Sequence, residues 1–281
     1  MHYAGFYSSS FASIDTLRIG HLTIRDQSFE EATLLKPVPL WDDIFDSVLA
    51  LSRLRMDYRE SSLRAASPFY NMISQGLLQR NLFSLKLSES ESNRSGETLL
   101  GSINTNLYVE PLETFPISEA RSSERVAGFY LGSGWQVHAH SITYGFETHE
   151  IHTFPLGGYV AAFSTQYPWI SFPREIGEQI IESLGPDNLN RVDCARRDIL
   201  PDLTIRLGHG TSFVLKAHDY IRRNPQFKLE FTDLCQIEIT VHEEPEDGTK
   251  YIVLGSVFLA RWYSVFDYDN AQISCKKLPC S

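Results

Sequence analysis

Short apolar or alternating segments recur along the chain, and they are rich in β-branched and aromatic residues. Most of them lie between residues that favour turns, as the strands of a β protein do. Strands are predicted at residues 15–24, 82–87, 98–102, 135–144, 159–163, 203–207, 236–241 and 263–267. The pattern therefore predicts an all-β fold with a few short helices.

Helical periodicity occurs in two stretches, residues 68–78 and 173–184, and each has a proline at or near its first turn. Proline is well tolerated there, so both stretches are predicted to be helices. Residues 88–96 are polar and lie between two predicted strands, which indicates an exposed hairpin loop. This loop contains Asn93 in an Asn-Arg-Ser triplet, a glycosylation sequon whose use the sequence leaves open.

The composition narrows the choice of partners. The chain has 281 residues, of which 42% are hydrophobic, and a formal net charge of −10. This length suits one large domain or two modest ones. Because an acidic protein repels phosphate backbones, no nucleic-acid partner is predicted. No apolar run approaches the ~18 residues of a membrane helix, and no basic and then apolar leader follows Met1, so neither a membrane span nor a signal peptide is predicted.

The four cysteines are too few for a disulfide scaffold. Cys194 and Cys235 flank two strand-like segments and could be joined if the protein is exported. Cys275 and Cys280 lie close together near the end of the chain, and whether they pair with each other stays open.

Motifs in several segments resemble those of one protein family, in the family's order. The most specific segment is residues 252–266, IVLGSVFLARWYSVF, which is followed by Asp267. It is similar to a pattern of a Leu-Gly-Asp turn, a Phe-Leu strand and a Tyr-x-Val-Phe-Asp strand. The other segments are residues 45–51, 68–87, 96–108 and 194–235. The family is that of the pepsin-like, eukaryotic aspartic peptidases, and the resemblance covers nearly the whole chain.

The resemblance implies a bilobal fold whose cleft binds an extended polypeptide by main-chain pairing and side-chain pockets. It implies that residues 1–112 are the remainder of the N-terminal lobe and residues 113–281 the C-terminal lobe. The polar stretch 117–125 is the predicted connector between them. The resemblance also implies a disulfide between Cys194 and Cys235, and a secreted or vacuolar location.

The resemblance also places the family's second catalytic turn. The family hydrolyses peptide bonds with two aspartates, one per lobe, which share a proton and a water molecule. Residues 160–173 resemble the surroundings of the second aspartate, which places this turn at Ser164, Thr165 and Gln166. Ser164 thus stands at the aspartate position, and a hydroxyl without a nearby base cannot take a proton from water. Gln166 replaces the glycine of the turn, so the turn is predicted to be degenerate.

The start of the chain resembles the family's flap. Residues 15–29 match the strands that follow the flap, and counting back from Asp15 places Tyr3 at the flap tyrosine. The family's first catalytic turn lies upstream of that hairpin, so the first lobe is predicted to be incomplete and no residue is predicted to be catalytic. Two interpretations stay open: a degenerate relative of the peptidases, or part of a longer protein.

Two other sources of catalysis are not predicted. The first is a substitute carboxylate in or beside the family motifs: Asp15, Asp46 or Asp267. The family counterparts of these three residues are structural. The second is a serine nucleophile, which is considered because Ser164 stands where a strand meets a turn. It is not predicted, since Ala162 and Gln166 replace the glycines that a nucleophile elbow needs.

Several histidines are candidate ligands of a metal ion. The alternative is an exposed sheet surface that binds no metal. His138 and His140 share one face of a predicted strand, so their imidazoles could approach one cation. His149 and His152 are three residues apart, unlike the spacing of a helical zinc site. A surface without metal is favoured, so neither a metal nor a cofactor is predicted.

Together, these observations predict a pepsin-like aspartic endopeptidase family member that is catalytically impaired or inactive. The alternative is a non-catalytic module that binds a peptide in the remaining cleft or interacts with a peptidase. A third outcome is a chain that does not fold stably alone, because unpaired strand edges and apolar surface are left exposed.

Overall fold

The computed structural model describes residues 2–3, 6–36, 48–53, 66–88, 95–108, 111–145, 151–223 and 233–278. Contacts group the chain into two compact units: residues 1–81 with 132–134, and residues 82–131 with 135–281. Asp46, Asn93, His149 and Cys280 lie outside the described part of the chain. Glycosylation at the sequon therefore stays a prediction.

The first unit contains a three-stranded antiparallel sheet in the order β1-β2-β3 and one helix. Its elements are β1 (His2–Tyr3), β2 (Phe6–Ile19), β3 (Leu22–Lys36) and α1 (Pro68–Ser74). The prediction of one strand through residues 15–24 is wrong, since a turn at Gly20 and His21 separates β2 from β3. Gly20 has a φ of 58°, which glycine adopts without strain, and the apolar alternation continues on the far side of the turn.

Helix α1 confirms the prediction of a helix within residues 68–78. The Ser67 hydroxyl caps its N-terminus by accepting a hydrogen bond from Tyr70 N at 3.1 Å. Gln75, just after the helix, joins it to β3. Its side chain accepts a hydrogen bond from Arg25 N at 3.0 Å and donates one to Arg25 O at 2.9 Å. The helix is thereby fixed to the hairpin.

The second unit is built mainly of strands. They are β4 (Leu82–Lys86), β5 (Glu97–Leu100), β6 (Glu113–Pro116), β7 (Gln136–Gly145), β8 (Ile151–Pro155), β9 (Val160–Phe163), β10 (Ile170–Pro173), β11 (Arg191–Asp193), β12 (Asp202–Leu207), β13 (Thr211–Leu215), β14 (Ile221–Arg223), β15 (Leu234–Ile237), β16 (Ile239–His242), β17 (Tyr251–Leu254), β18 (Trp262–Asp267) and β19 (Gln272–Lys277). The helices are α2 (Arg125–Leu131), α3 (Arg174–Ser183), α4 (Ala217–Tyr220) and α5 (Ser256–Leu259), with 3₁₀ turns at Thr105–Leu107 and Cys194–Asp198. No helix in the described ranges is long and apolar enough to cross a membrane.

Three sheets hold the described strands of the second unit. The largest has the order β13-β12-β7-β9-β17-β10-β16, with β8 paired to β7. Another has the order β5-β4-β18-β19-β6, and the smallest has the order β11-β15-β14. The predicted mainly β class is confirmed.

The second unit confirms several local predictions and corrects one. Strands β4 and β5 pair antiparallel, as expected for the hairpin around residues 88–96, and α3 confirms the helix within residues 173–184. Residues 236–241 were expected to form one strand, but β15 and β16 are separate elements divided at Glu238. The break allows β15 to pair with β11 and β14, whereas β16 pairs with β10.

The five-stranded sheet contains strands from both predicted lobes. It combines β4 and β5, which precede residue 112, with β6, β18 and β19, which follow it. Residues 117–125 are fixed within the second unit, because the hydroxyls of Ser122 and Ser123 donate hydrogen bonds to Asp247 at 2.7 and 3.1 Å. The lobe boundary at residue 112 and the connector stay predictions.

Candidate functional site

The predicted catalytic turn lies between β9 and β10 of the largest sheet. Strand β9 runs parallel to one side of β17, with Phe163 opposite Leu254. Strand β10 runs antiparallel along the other side, with Ile170 opposite Leu254. Residues 164–169 therefore cross over the end of β17, and Ser164 N donates a hydrogen bond to Leu254 O at 3.1 Å. Every residue of β9 and β17 is buried, so packed strands hold the start of the turn.

Gly255 lies directly beneath this turn, after the last residue of β17. A Cβ at Gly255 would lie 2.1 Å from Trp169 O and 2.4 Å from Tyr167 O, closer than any real contact. The next two residues fix the turn through the backbone. Ser256 N donates to Tyr167 O at 2.8 Å, and Val257 N donates to Pro168 O at 2.9 Å. The turn thus depends on a position where only glycine fits.

The three residues of the turn itself carry little chemistry. Ser164 is half-buried, and Thr165 and Gln166 are exposed. Within the described part of the chain, their side chains have no hydrogen-bond partner. A serine hydroxyl without a hydrogen-bonded base stays neutral and is a poor nucleophile. The geometry therefore provides a defined backbone turn without an acid or a base in contact with Ser164.

Aromatic side chains of the second unit support the turn at residues 164–169. The Tyr167 hydroxyl and Thr240 Oγ1 form a hydrogen bond of 2.8 Å, and burial raises the pKa of Tyr167 above its ordinary value. The ring of Tyr167 makes T-shaped contacts with Tyr130 and Trp169, each with centroids 5.3 Å apart. Tyr167 therefore positions the turn and does not exchange protons at neutral or acid pH.

A half-buried histidine joins the strands behind the turn. His242 Nδ1 and Ser171 Oγ lie 2.8 Å apart, and His242 Nε2 lies 3.2 Å from Tyr251 O. Since the Tyr251 carbonyl can accept but not donate, Nε2 carries the proton and Nδ1 accepts from Ser171. Burial lowers the pKa of His242 to about 4, although Glu243 and Glu244 act in the opposite direction. His242 thus connects β10, β16 and β17 in its neutral form.

The stability of the protein should decrease in acid because of His242. The pKa of this residue is about 4 when folded and near 6.5 when unfolded, so the unfolded state takes up the proton first. The contribution of His242 to the free energy of unfolding is complete above about pH 6.5 and is lost as the pH falls to about 4. The loss is about 2 kcal/mol, a value reduced to allow for the partial exposure of the side chain.

Urea unfolding at several pH values measures this loss. The double variant Ser171→Ala/His242→Phe removes the pair without leaving an unpaired hydroxyl, and its free energy of unfolding should depend less on pH between about 6.5 and about 4. His138→Phe, at an exposed position, is the matched control and should keep the wild-type dependence. Equal pH dependence in all three proteins would show that His242 is not the titrating group.

The structure describes the predicted disulfide and the strand that contains Tyr3. Cys194 and Cys235 form a disulfide with Cα atoms 5.0 Å apart, which confirms the predicted bond, and Cys275 carries a buried free thiol. Tyr3 pairs with Phe6, so the backbone reverses between β1 and β2. The assignment of Tyr3 to the flap stays a prediction.

The remaining candidates are not brought together as a site. His138 and His140 are exposed on one face of β7, with buried Ala139 between them. Among the described residues, no three histidine, cysteine or acidic side chains are placed to hold a metal ion. Asp267 accepts hydrogen bonds from the backbone and the amide of Asn270 at 3.0 and 2.9 Å. Asp267 therefore stabilises the turn between β18 and β19.

Comparison with known proteins identifies the family of this chain. A sequence profile described as "Eukaryotic aspartyl protease" matches residues 1–278. The chain belongs to this family. It is 29% identical over 271 residues to vacuolar protease A of Arthroderma otae, which covers 95% of this chain and 60% of that protein. It is 28% identical over 276 residues to cathepsin D of Dictyostelium discoideum, which covers 97% of this chain and 66% of that protein.

The chain thus spans less than two thirds of the length of these two relatives. Among solved structures, an aspartic proteinase from Irpex lacteus matches with a TM-score of 0.77 and 22% identity, over 99% of this chain and 80% of that chain. This likeness confirms the pepsin-like fold predicted from the motifs.

Two residues that shape the site of this aspartyl protease homologue are not singled out by the sequence. Gly255 lies inside the Leu-Gly motif of residues 252–266, and a glycine after a fully apolar strand is a usable signal for close backbone approach. His242 precedes two glutamates in a polar stretch, and nothing in that pattern indicates burial.

Proposed function

We propose that this member of the eukaryotic aspartyl protease family does not hydrolyse peptide bonds efficiently. The presence of Ser164 at the aspartate position of the family's second catalytic turn carries the proposal. Hydrolysis by this family needs one carboxylate to take a proton from water and another carboxyl group to polarise the scissile carbonyl. Ser164 performs neither role, because its hydroxyl is hydrogen-bonded to no base among the described residues.

Gln166 supports the same proposal. The family has glycine at this position, where the absence of a side chain leaves room above the catalytic turn. The side chain of Gln166 is exposed beside Ser164 and Thr165. Gln166 thus adds an exposed side chain where the family has none.

A turnover assay tests the proposal. The purified protein is incubated with a denatured polypeptide at about pH 3 to 5, the range in which a carboxylate pair shares a proton, and the products are identified by mass spectrometry. We expect the wild type and Ser164→Ala to give the same background, because the hydroxyl moves no proton. Cleavage by the wild type that a transition-state-mimicking aspartic peptidase inhibitor stops would refute the proposal.

The second candidate function is a module that holds an extended peptide in the cleft or interacts with a peptidase. The observation that favours it is the retained backbone of the turn, where Ser256 and Val257 still bond to Tyr167 and Pro168. A folded sample that retains no peptide from a random library would exclude peptide binding of this kind.

The proposal extends to lobes and location. Residues 1–112 and 113–281 are proposed to belong to the N-terminal and C-terminal lobes, with Tyr3 as the flap residue. A vacuolar location is supported by the name of the Arthroderma otae relative, and secretion is the alternative. Imaging of the tagged protein against a vacuolar marker distinguishes the two.

A further inference from the structure

A groove of about 280 Å³ lies in the second unit, between the edges of two sheets. Strand β13 supplies residues 211–214 to its lining, and β19 supplies Lys276 and Lys277. Trp262 of β18 and Glu113 of β6 also line the groove. No residue of the turn at 164–169 lines this groove, so binding there is independent of the proposed function.

Both strands carry open edges within the described part of the chain. Strand β13 is the outermost strand of the largest sheet and pairs there with β12 alone. Strand β19 pairs with β6 as far as Cys275, which lies opposite Glu113, and then continues through Lys276 and Lys277. An edge strand directs alternate N–H and C=O groups outward, where an incoming chain can hydrogen-bond to them.

The side chains of the groove favour one kind of partner. Phe213 and Trp262 form an apolar, aromatic floor, with ring centroids 4.8 Å apart and little exposure of either ring. Two lysines stand against one glutamate, so the groove is locally positive in a chain with a net charge of −10. An apolar floor between open strand edges is typical of sites that bind peptides by strand addition.

We propose that this groove binds an extended acidic peptide segment, which adds to the edge of β13 with acidic residues near the end of β19 that carries Lys276 and Lys277. Main-chain hydrogen bonds to β13 supply affinity that is independent of sequence, and the lysines select for acidic residues. Alternate apolar side chains of the peptide pack against the apolar part of the groove lining.

The test uses the whole chain and a fluorescein-labelled peptide, acetyl-Asp-Val-Thr-Val-Asp-amide. We expect saturable binding with a dissociation constant of roughly 10–100 µM, with amide NMR shifts at residues 211–214. The double variant Lys276→Glu/Lys277→Glu should bind at least about tenfold more weakly. Lys250→Glu reverses one lysine charge outside the groove and should stay within about twofold of the wild type.

A peptide that is N-methylated at alternate residues separates strand addition from simple charge attraction, because it keeps its charges and loses its main-chain donors. It should also bind at least about tenfold more weakly. The absence of saturable binding below about 1 mM would overturn the proposal. Unchanged affinity of the Lys276→Glu/Lys277→Glu variant or of the methylated peptide would do so too. Sedimentation that shows dimers formed through β13 would assign this edge to a second copy instead.

Discussion

Replacement of Gly255 by alanine is expected to destabilise the protein by more than about 3 kcal/mol, because the new methyl group cannot be accommodated beneath the turn. Its Cβ would lie 2.1 Å from Trp169 O and 2.4 Å from Tyr167 O. The second oxygen is held by a hydrogen bond from Ser256 N, so it cannot move aside as the end of a long side chain would. The φ of Gly255 is −78°, which suits alanine, so the cost arises from contact and not from backbone conformation.

Urea unfolding of Gly255→Ala is compared with that of a matched control, Gly157→Ala. Gly157 lies between β8 and β9 of the same sheet, and a Cβ there would meet nothing within 4 Å. The control should stay within about 1 kcal/mol of the wild type, since its main effect is on the unfolded chain. A loss of less than about 1 kcal/mol in Gly255→Ala would mean that the turn can shift, and would contradict the close approach of Gly255 to the turn.

Removal of the disulfide is expected to cost about 4 kcal/mol. Cys194 and Cys235 are separated by 41 residues along the chain. In the chain-entropy account, a cross-link over such a loop reduces the freedom of the unfolded chain, and its loss removes about 4 kcal/mol from the free energy of unfolding. The bridge fixes β15 beside the 3₁₀ turn at Cys194–Asp198, so a local loosening of the smallest sheet should accompany the loss.

The double variant Cys194→Ala/Cys235→Ala measures this loss, with and without a reducing agent. Reductant should lower the urea midpoint of the wild type and leave that of the double variant unchanged, because the described bridge is then already absent. If the double variant lost less than about 1 kcal/mol, the bridge would not be a major source of stability.

The sequence predicts the strands that stay in one sheet more reliably than those that change sheets. Strands β4 and β5 pair with each other in one sheet, and the sequence predicts both, at residues 82–87 and 98–102. Residues 236–241 look like one strand because the apolar alternation is unbroken, yet the sheet changes at Glu238. A change of sheet is decided by the strands on either side, which a local pattern does not contain.

The candidate site shows the same limit. Family motifs place Ser164, Thr165 and Gln166 in a turn, because the pattern of an apolar strand followed by a turn is local in sequence. The contacts that hold the turn come from residues 254–257, about ninety residues further along the chain, where Gly255 leaves room for it. The local sequence does not predict the environment of His242. Its hydrogen-bond partners lie on β10 and β17, and its burial follows from the packing of those strands.

The lack of efficient peptide hydrolysis is tested most directly in H₂¹⁸O, with the protein in excess over a denatured polypeptide. An aspartic peptidase adds the oxygen of water to the new carboxyl terminus, so even one cleavage per molecule leaves an isotopic label. The reaction is run at about pH 5, with circular dichroism to show that the chain stays folded despite the titration of His242. No labelled termini are expected beyond those formed with Ser164→Ala. Labelled termini that disappear in Ser164→Ala, or with a transition-state-mimicking aspartic peptidase inhibitor, would contradict this expectation.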